Sequence, residues 1–219
     1  MAVRSIHQEY KVRTKLSLTK LSAAAVLLCA AAAAQADITV YTNQADFLAA
    51  VSAPGVDTFD DLTIANYGDS LSRTAGAYTY DVYSGTGLYG AGGDGGDFWL
   101  SNNRRTNPIV FSNFGGGGVN AFGGNFFGSD VFGQYLVGNV ILTAIDGSVV
   151  TYNLDNAATT DFLGFVSSTP LAAVTLGTDG GAGYWPTANN VVLAVPEPAT
   201  YGMLLAGLGF VGLMSRRRS

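Results

Sequence analysis

Two carboxylates in a glycine-rich run are the residues of this 219-residue chain whose spacing first suggests chemistry. Gly92-Gly93-Asp94-Gly95-Gly96-Asp97-Phe98-Trp99-Leu100 fits the nonapeptide G-G-x-G-x-D-x-U-x, whose stacked copies share Ca²⁺ between adjacent turns. Asp94 and Asp97 would be the ligands, and Ca²⁺ is the one cofactor the sequence suggests. No second copy accompanies the run, so it reads equally as a flexible turn with two solvated Asp. Asp60-Asp61 could also offer oxygen to a hard cation, or simply form a turn. A glycosidase would need two facing carboxylates, one raised in pKa by apolar surroundings, and no two Asp are marked out as such a pair.

Aromatic residues make the second candidate set. Tyr184 and Trp185 precede Pro186, and Trp99 follows the glycine run. Flat rings at the end of a β-sandwich can stack on sugar faces while neighbouring Asn and Asp hydrogen-bond hydroxyls. Trp185, Tyr184 and Trp99 are therefore candidate ligand-stacking residues, with core or loop packing as the competing role. Tyr78 and Tyr80 alternate within one predicted strand and share a sheet face.

What the middle of the chain lacks excludes more. His7, Cys29 and every Lys lie within residues 1–36, and residues 37–195 contain no Glu. That central stretch cannot build a Ser-His-Asp triad, a Cys nucleophile, a Schiff base or the usual zinc site. It holds fourteen Asp against Arg73, Arg104 and Arg105, a net −11, whereas the whole chain is only −5. Such a body repels nucleic acid and anionic lipid. The masking charge sits at the two ends.

The elements that must position these residues are mostly strands. Residues 38–41 open as a short strand, and Asn43 is placed to cap a helix over 44–51. Ten further strands are predicted at 56–59, 77–83, 98–101, 109–114, 119–127, 137–145, 149–154, 162–167, 171–176 and 190–195. Asp146-Gly147 between two β-branched runs is the clearest hairpin turn. Short, regularly spaced strands with almost no helix predict an all-β, antiparallel β-sandwich with one short N-terminal helix.

The two ends read as addresses. Residues 1–20 are basic, residues 21–34 are small and apolar apart from Ser22, and Ala34-Gln35-Ala36 supplies a signal-peptidase site before Asp37. Fourteen apolar residues make only about 21 Å of helix, short of the ~30 Å hydrocarbon layer, which favours a cleaved signal peptide over an anchor. At the other end stand Val195-Pro196-Glu197-Pro198, an apolar Gly-rich stretch over 199–215, then Arg216, Arg217, Arg218 and Ser219. The stretch spans about 26 Å as a helix, enough for a thin bilayer. Three Arg behind it stay cytoplasmic and leave the Pro-Glu-Pro outside.

This ordered triplet of elements resembles the PEP-CTERM sorting signal. The resemblance implies Pro196, Glu197 and Pro198 as recognition residues, 199–215 as a temporary transmembrane sorting helix, and Arg216, Arg217 and Arg218 as its stop. It further implies recognition by an exosortase, an integral-membrane cysteine peptidase, with cleavage near Pro196–Pro198. The body itself, with Phe122-Gly123-Gly124-Asn125-Phe126-Phe127, Asp146-Gly147-Ser148, Phe162-Leu163-Gly164-Phe165-Val166 and Asn189-Asn190-Val191, resembles bodies common among PEP-CTERM proteins. Those are similar to the jelly-roll sandwiches of carbohydrate-binding modules. They often end on an Asp-Asn or Asp-Asp pair, and the Asn189-Asn190 here weakens any calcium or ligand role carried across to that position.

The expected organisation is a signal peptide over 1–36, a jelly-roll-like body over 37–194 and a sorting signal over 195–219. The expected partners are signal peptidase, exosortase, the inner membrane in passing and exopolysaccharide, with no nucleic acid. The precursor is membrane-anchored and the product reaches the cell surface or a biofilm matrix. A non-enzymatic protein with polysaccharide as candidate ligand is the leading expectation. A secreted carbohydrate-active hydrolase using an Asp pair and a purely structural adhesive subunit are the alternatives.

Overall fold

A computed structural model describes residues 37–180 and 183–197. The expected signal peptide, with Ala34 and Ala36, lies outside the described residues, as do Pro198, the apolar stretch 199–215 and Arg216, Arg217 and Arg218. Among the described residues no helix is long and apolar enough to cross a membrane.

The chain runs β1 (Ile38–Tyr41), α1 (Gln44–Ala49), β2 (Val51–Asp57), β3 (Ser70–Ala75), β4 (Tyr78–Tyr83) and β5 (Leu88–Gly92). A single 3-10 turn, Asp94–Gly96, leads into β6 (Phe98–Asn102), β7 (Ile109–Gly115), β8 (Ala121–Ser129) and β9 (Gly138–Ile145). Then follow β10 (Val149–Ala157), β11 (Phe162–Ser167), β12 (Ala173–Thr178) and β13 (Trp185–Pro196). One sheet has the order β1-β11-β8-β13-β6-β5, with β2 also paired to β13, and the other β10-β9-β12-β7-β4-β3. Every pairing is antiparallel. The all-β, two-sheet expectation is met.

The core forms because one face of the second sheet alternates strictly. Val140, Leu142 and Ala144 of β9, Val174 and Leu176 of β12, Ile109 and Phe111 of β7, and Tyr80 and Val82 of β4 are all buried in one cluster. They meet Phe122, Phe126, Leu163, Phe165 and Leu193 from the first sheet. Phe111 and Phe122 lie 5.0 Å apart centre to centre, and Phe122 stacks on Phe126 at 6.0 Å, within the favourable range for aromatic pairs. The opposite face of the first sheet is also covered. Ala121, Phe162, Val192 and Ala194, each one residue from a core position, form a second cluster with Phe47 of α1 and Val51. That double burial is why β8 has no exposed position.

Asn43 caps α1 as predicted, its Oδ1 accepting from Ala45 N at 2.8 Å and Asp46 N at 3.2 Å. The helix ends at Ala49 instead of reaching residue 51, because the β-branched Val51 opens β2 and buries in the cluster beneath Phe47. The strand predicted at 56–59 therefore starts earlier and stops at Asp57. Asp146-Gly147 turns the β9–β10 hairpin, with Gly147 at φ 114° and Val149 paired to Ile145. β3 and β5 are not predicted: β3 is a small, polar edge strand with only Ala75 buried, and β5 contains Gly90 and Gly92.

β13 is the hub of the first sheet. It pairs with β8 along one edge, while the other edge takes β6 at Ala188 and then β2 from Val191 to Pro196. The strand begins at Trp185, five residues before the predicted start at 190, and tolerates Pro186, whose carbonyl accepts from Ser101 Oγ at 3.0 Å. Its register against β8 shifts between Asn189 and Val192, where Asn190 adopts φ 49°. Asn tolerates this left-handed conformation, and the shift is a β-bulge. Asn190 N bonds Asn189 Oδ1, and its Nδ2 reaches Asn125 Oδ1 at 3.1 Å. The Asn189-Asn190 pair is thus a structural device of the strand.

Candidate functional site

At the start of β13 the first sheet opens into a cleft of about 420 Å³, a size suited to a small ligand or one segment of a polymer. Trp185 forms one wall and Tyr89 of β5 another, both half-buried. The rim is apolar and protrudes: Ile64 is 55% exposed, Val131 68% and Phe132 76%. Single exposed apolar residues need no explanation, but a group of them around a concave aromatic surface makes this cleft the candidate contact surface.

Local chemistry explains how the rim is held. Asp130, at the end of β8, accepts Phe132 N at 2.8 Å and Gln134 N at 2.9 Å on Oδ1. The turn is closed by Gly133 N to Asp130 O and docked on β5 by Gly92 N to Gly133 O at 2.8 Å. This leaves Val131 and Phe132 at the tip. On the other side Asn66 bridges to Tyr89, and Gly90 N donates to Ala65 O, bringing Ile64 to the rim. Ser101 and Ser129 line the cleft, and the buried Thr187 joins them, its Oγ1 meeting Ser129 Oγ at 2.7 Å and Ser101 Oγ at 3.3 Å. Asn102 Nδ2 donates to Asn107 O at 2.7 Å, and its buried Oδ1 has no hydrogen-bond partner.

The three aromatic candidates part company. Trp185 faces the cleft. Tyr184 is 8% exposed, and its ring lies over Gly138, where a Cβ would fall 2.6 Å from the ring. Its hydroxyl donates to Asp179, and burial, then that bond, raises its pKa. Trp99 stands edge-on to Phe127 at 4.9 Å and covers Gly92, with Nε1 buried and unpartnered. Tyr184 and Trp99 therefore pack the framework behind the site. Tyr78 and Tyr80 are buried on one face, as their alternation predicts.

The acidic candidates are tied into the fold in different ways. Asp97 is exposed, and its Oδ1 accepts from Asn189 Nδ2 at 2.9 Å, anchoring the glycine-rich turn to β13. Asp94 begins that turn. Among the described residues no group of three or more His, Cys, Asp or Glu is placed to hold a metal ion. Asp60 and Asp61 form a turn closed by Leu62 N to Phe59 O. Asp61 takes both its oxygens to Arg73, at 2.6 and 2.7 Å.

Arg73 is the centre of a separate ion cluster. It also bonds both oxygens of the buried Asp57, at 2.6 and 2.8 Å, and lies over the Phe59 ring at 5.1 Å. Tyr80 donates to Asp57 Oδ2 at 2.8 Å, and burial, then the Asp57 charge, pushes that phenol well up. Hydrogen bonding to Arg73 lowers the pKa of Asp61. Every oxygen of both carboxylates has a guanidinium partner, so the cluster is a clasp between the 57–61 turn and β3.

Sequence reasoning points to Trp185 but not to the rim residues Ile64, Val131 and Phe132. Phe132 and Val131 carried a usable signal: Asp130-Val131-Phe132-Gly133 is an Asp-led turn with two large apolar residues at its tip.

The opposite end of β13 carries the other motif. Val195 and Pro196 pair with Ser52 and Val51, and Glu197, exposed, donates its N–H to Ala50 O at 3.2 Å. Comparison with curated proteins and with solved structures returns no match. Residues 194–218 match the family model described as the PEP-CTERM protein-sorting motif, so the chain carries that sorting motif, which begins within the last residues of β13.

Proposed function

We propose that this chain is an exported surface or matrix protein, processed by an exosortase, whose jelly-roll-like sandwich binds extended neutral polysaccharide without altering it. The sorting half follows from what the matched motif at 194–218 implies. The binding half is carried by one observation: Trp185 and Tyr89 are held half-buried in one cleft whose rim is apolar. Rings fixed in this way bury apolar sugar faces with little loss of side-chain freedom.

Charge supports a neutral polymer, since a body of net −11 repels a polyanion. The cleft's lining favours binding over hydrolysis. Its one carboxylate, Asp130, already accepts two backbone N–H groups, and a hydrolase would need a second acid facing it. The test is affinity electrophoresis of the secreted protein through gels containing neutral or acidic polysaccharides. Retardation in a neutral polymer that Trp185→Ala removes is the expected result. Equal mobility of both proteins in every gel overturns the binding half, and chain shortening of a polymer by the purified protein overturns its non-enzymatic character.

A further inference from the structure

The matched sorting motif begins inside the folded body, and this restricts where a peptidase can act. We infer that the fold sets the proximal limit of processing: the bond hydrolysed lies C-terminal to Glu197, and the mature protein retains Pro196 and Glu197. The inference rests on the exosortase reading above and sharpens it.

The residues before the limit are held on both edges. β13 pairs with β2 at Val191, Val192, Leu193, Val195 and Pro196, and with β8 as far as Ala194. Asn120 N adds a bond to Ala194 O at 3.2 Å. Val192, Leu193 and Ala194 are at most 1% exposed and contribute to the two apolar clusters on opposite faces of the sheet. A peptidase must draw its substrate strand into its own active site. Reaching any bond up to Ala194–Val195 would mean stripping this strand from both neighbours and opening both clusters.

The next three residues form a transition. After Ala194 the β8 edge is free, while the β2 edge remains closed by Val195 with Ser52 and Pro196 with Val51. Ser52 Oγ donates to Pro196 O at 3.4 Å, and Glu197 N donates to Ala50 O at 3.2 Å. The carbonyl of Pro196 and the N–H of Glu197, the two sides of one peptide bond, are thus both engaged by the body. Glu197 is exposed, so the motif's acidic residue is presented at the sheet's end on a backbone already held extended. Cleavage beyond it breaks none of these pairings. In that step the C–N bond breaks, water adds its oxygen to the carbonyl carbon, and the leaving nitrogen takes the proton.

The experiment is intact-mass and C-terminal peptide analysis of the protein released from cells that express the full-length chain with an exosortase. A new C-terminus at Glu197 or any later residue is the expected result. A terminus at or before Pro196 overturns the inference while leaving exosortase processing intact. Full-length chain retained with and without the exosortase removes the exosortase reading, and the inference falls with it. Release at an unchanged terminus from cells lacking the enzyme has the same consequence.

Discussion

Trp185 and Pro196 stand at opposite ends of one strand, roughly 35 Å apart at about 3.3 Å per residue, and they depend on the fold in opposite ways. At the Trp185 end, the cleft is assembled from β5, β6, the end of β8, the turn beginning at Asp130 and the segment around Ile64. These residues come from separate stretches around 64, 89–91, 101–103 and 129–133, all more than fifty residues before Trp185, which alone would be an aromatic residue before a proline. At the Pro196 end the information is contiguous, from 194 to 218, and the body only holds its first residues in place. The cleft and the first residues of the sorting motif thus stand at opposite ends of β13.

The contrast predicts that the two functions separate by mutation. The largest effect belongs to the contiguous end. Glu197→Ala keeps the backbone N–H that bonds Ala50, and deletion of Arg216, Arg217 and Arg218 removes residues twenty positions beyond the end of β13. Each is expected to abolish release, with protein confined to the membrane fraction on immunoblots and retained polysaccharide binding. Normal release from both variants would break the comparison at that end.

Next comes the clasp that both halves share, since Asp57 lies opposite Val191 in the middle of β13. Arg73→Ala leaves the buried Asp57 without its partner, a loss of about 3–5 kcal/mol for a broken buried ion pair. A lower urea midpoint for the whole body is expected, because the clasp ties the end of β2 and the 57–61 turn to β3 while β2 is itself paired along β13 and buries Val51 in the second cluster. An unchanged midpoint would show that the clasp contributes nothing to holding β2.

Trp185→Ala is expected to weaken polysaccharide binding on the order of tenfold, about 1.4 kcal/mol, consistent with one lost stacking ring. Titration by fluorescence or calorimetry reads this directly, and release to the medium should be unaffected. A matching loss of release would mean that the two ends are coupled through the strand.

The smallest effect concerns pH. Asp61 is held below its ordinary value of 3.8, chiefly by its hydrogen bonds to Arg73. A carboxylate with a depressed folded pKa contributes stability that is fully present above the ordinary value and lost as pH falls through the folded value. Its side chain is 66% exposed, so solvent screening keeps the contribution modest. Asp61→Asn should flatten the acid limb of stability against pH, measured by urea midpoints from neutral to acid pH. An identical limb in both proteins would assign the acid sensitivity elsewhere.

Local features were legible where a local rule acted alone. The Asn43 cap, the Asp146-Gly147 hairpin and the shared face of Tyr78 and Tyr80 each depend on residues within a few positions of one another. The edges of β2 and β13 were not, because pairing with distant strands overrode the local signals at Val51 and Pro186. The Asn189-Asn190 pair shows the same limit: its composition allows a turn, a ligand or a bulge, and the register against β8 selects the bulge.

The sequence by itself determined the strand-rich class, the acidic Lys-free body and the sorting motif, because composition, alternation and contiguous residue order carry them. Only the tertiary structure decided that Trp185 faces a cleft while Tyr184 and Trp99 pack behind it. Neighbouring side chains in an extended chain point to opposite sides. Which side is covered depends on strand register, a bulge and partners dozens of residues away.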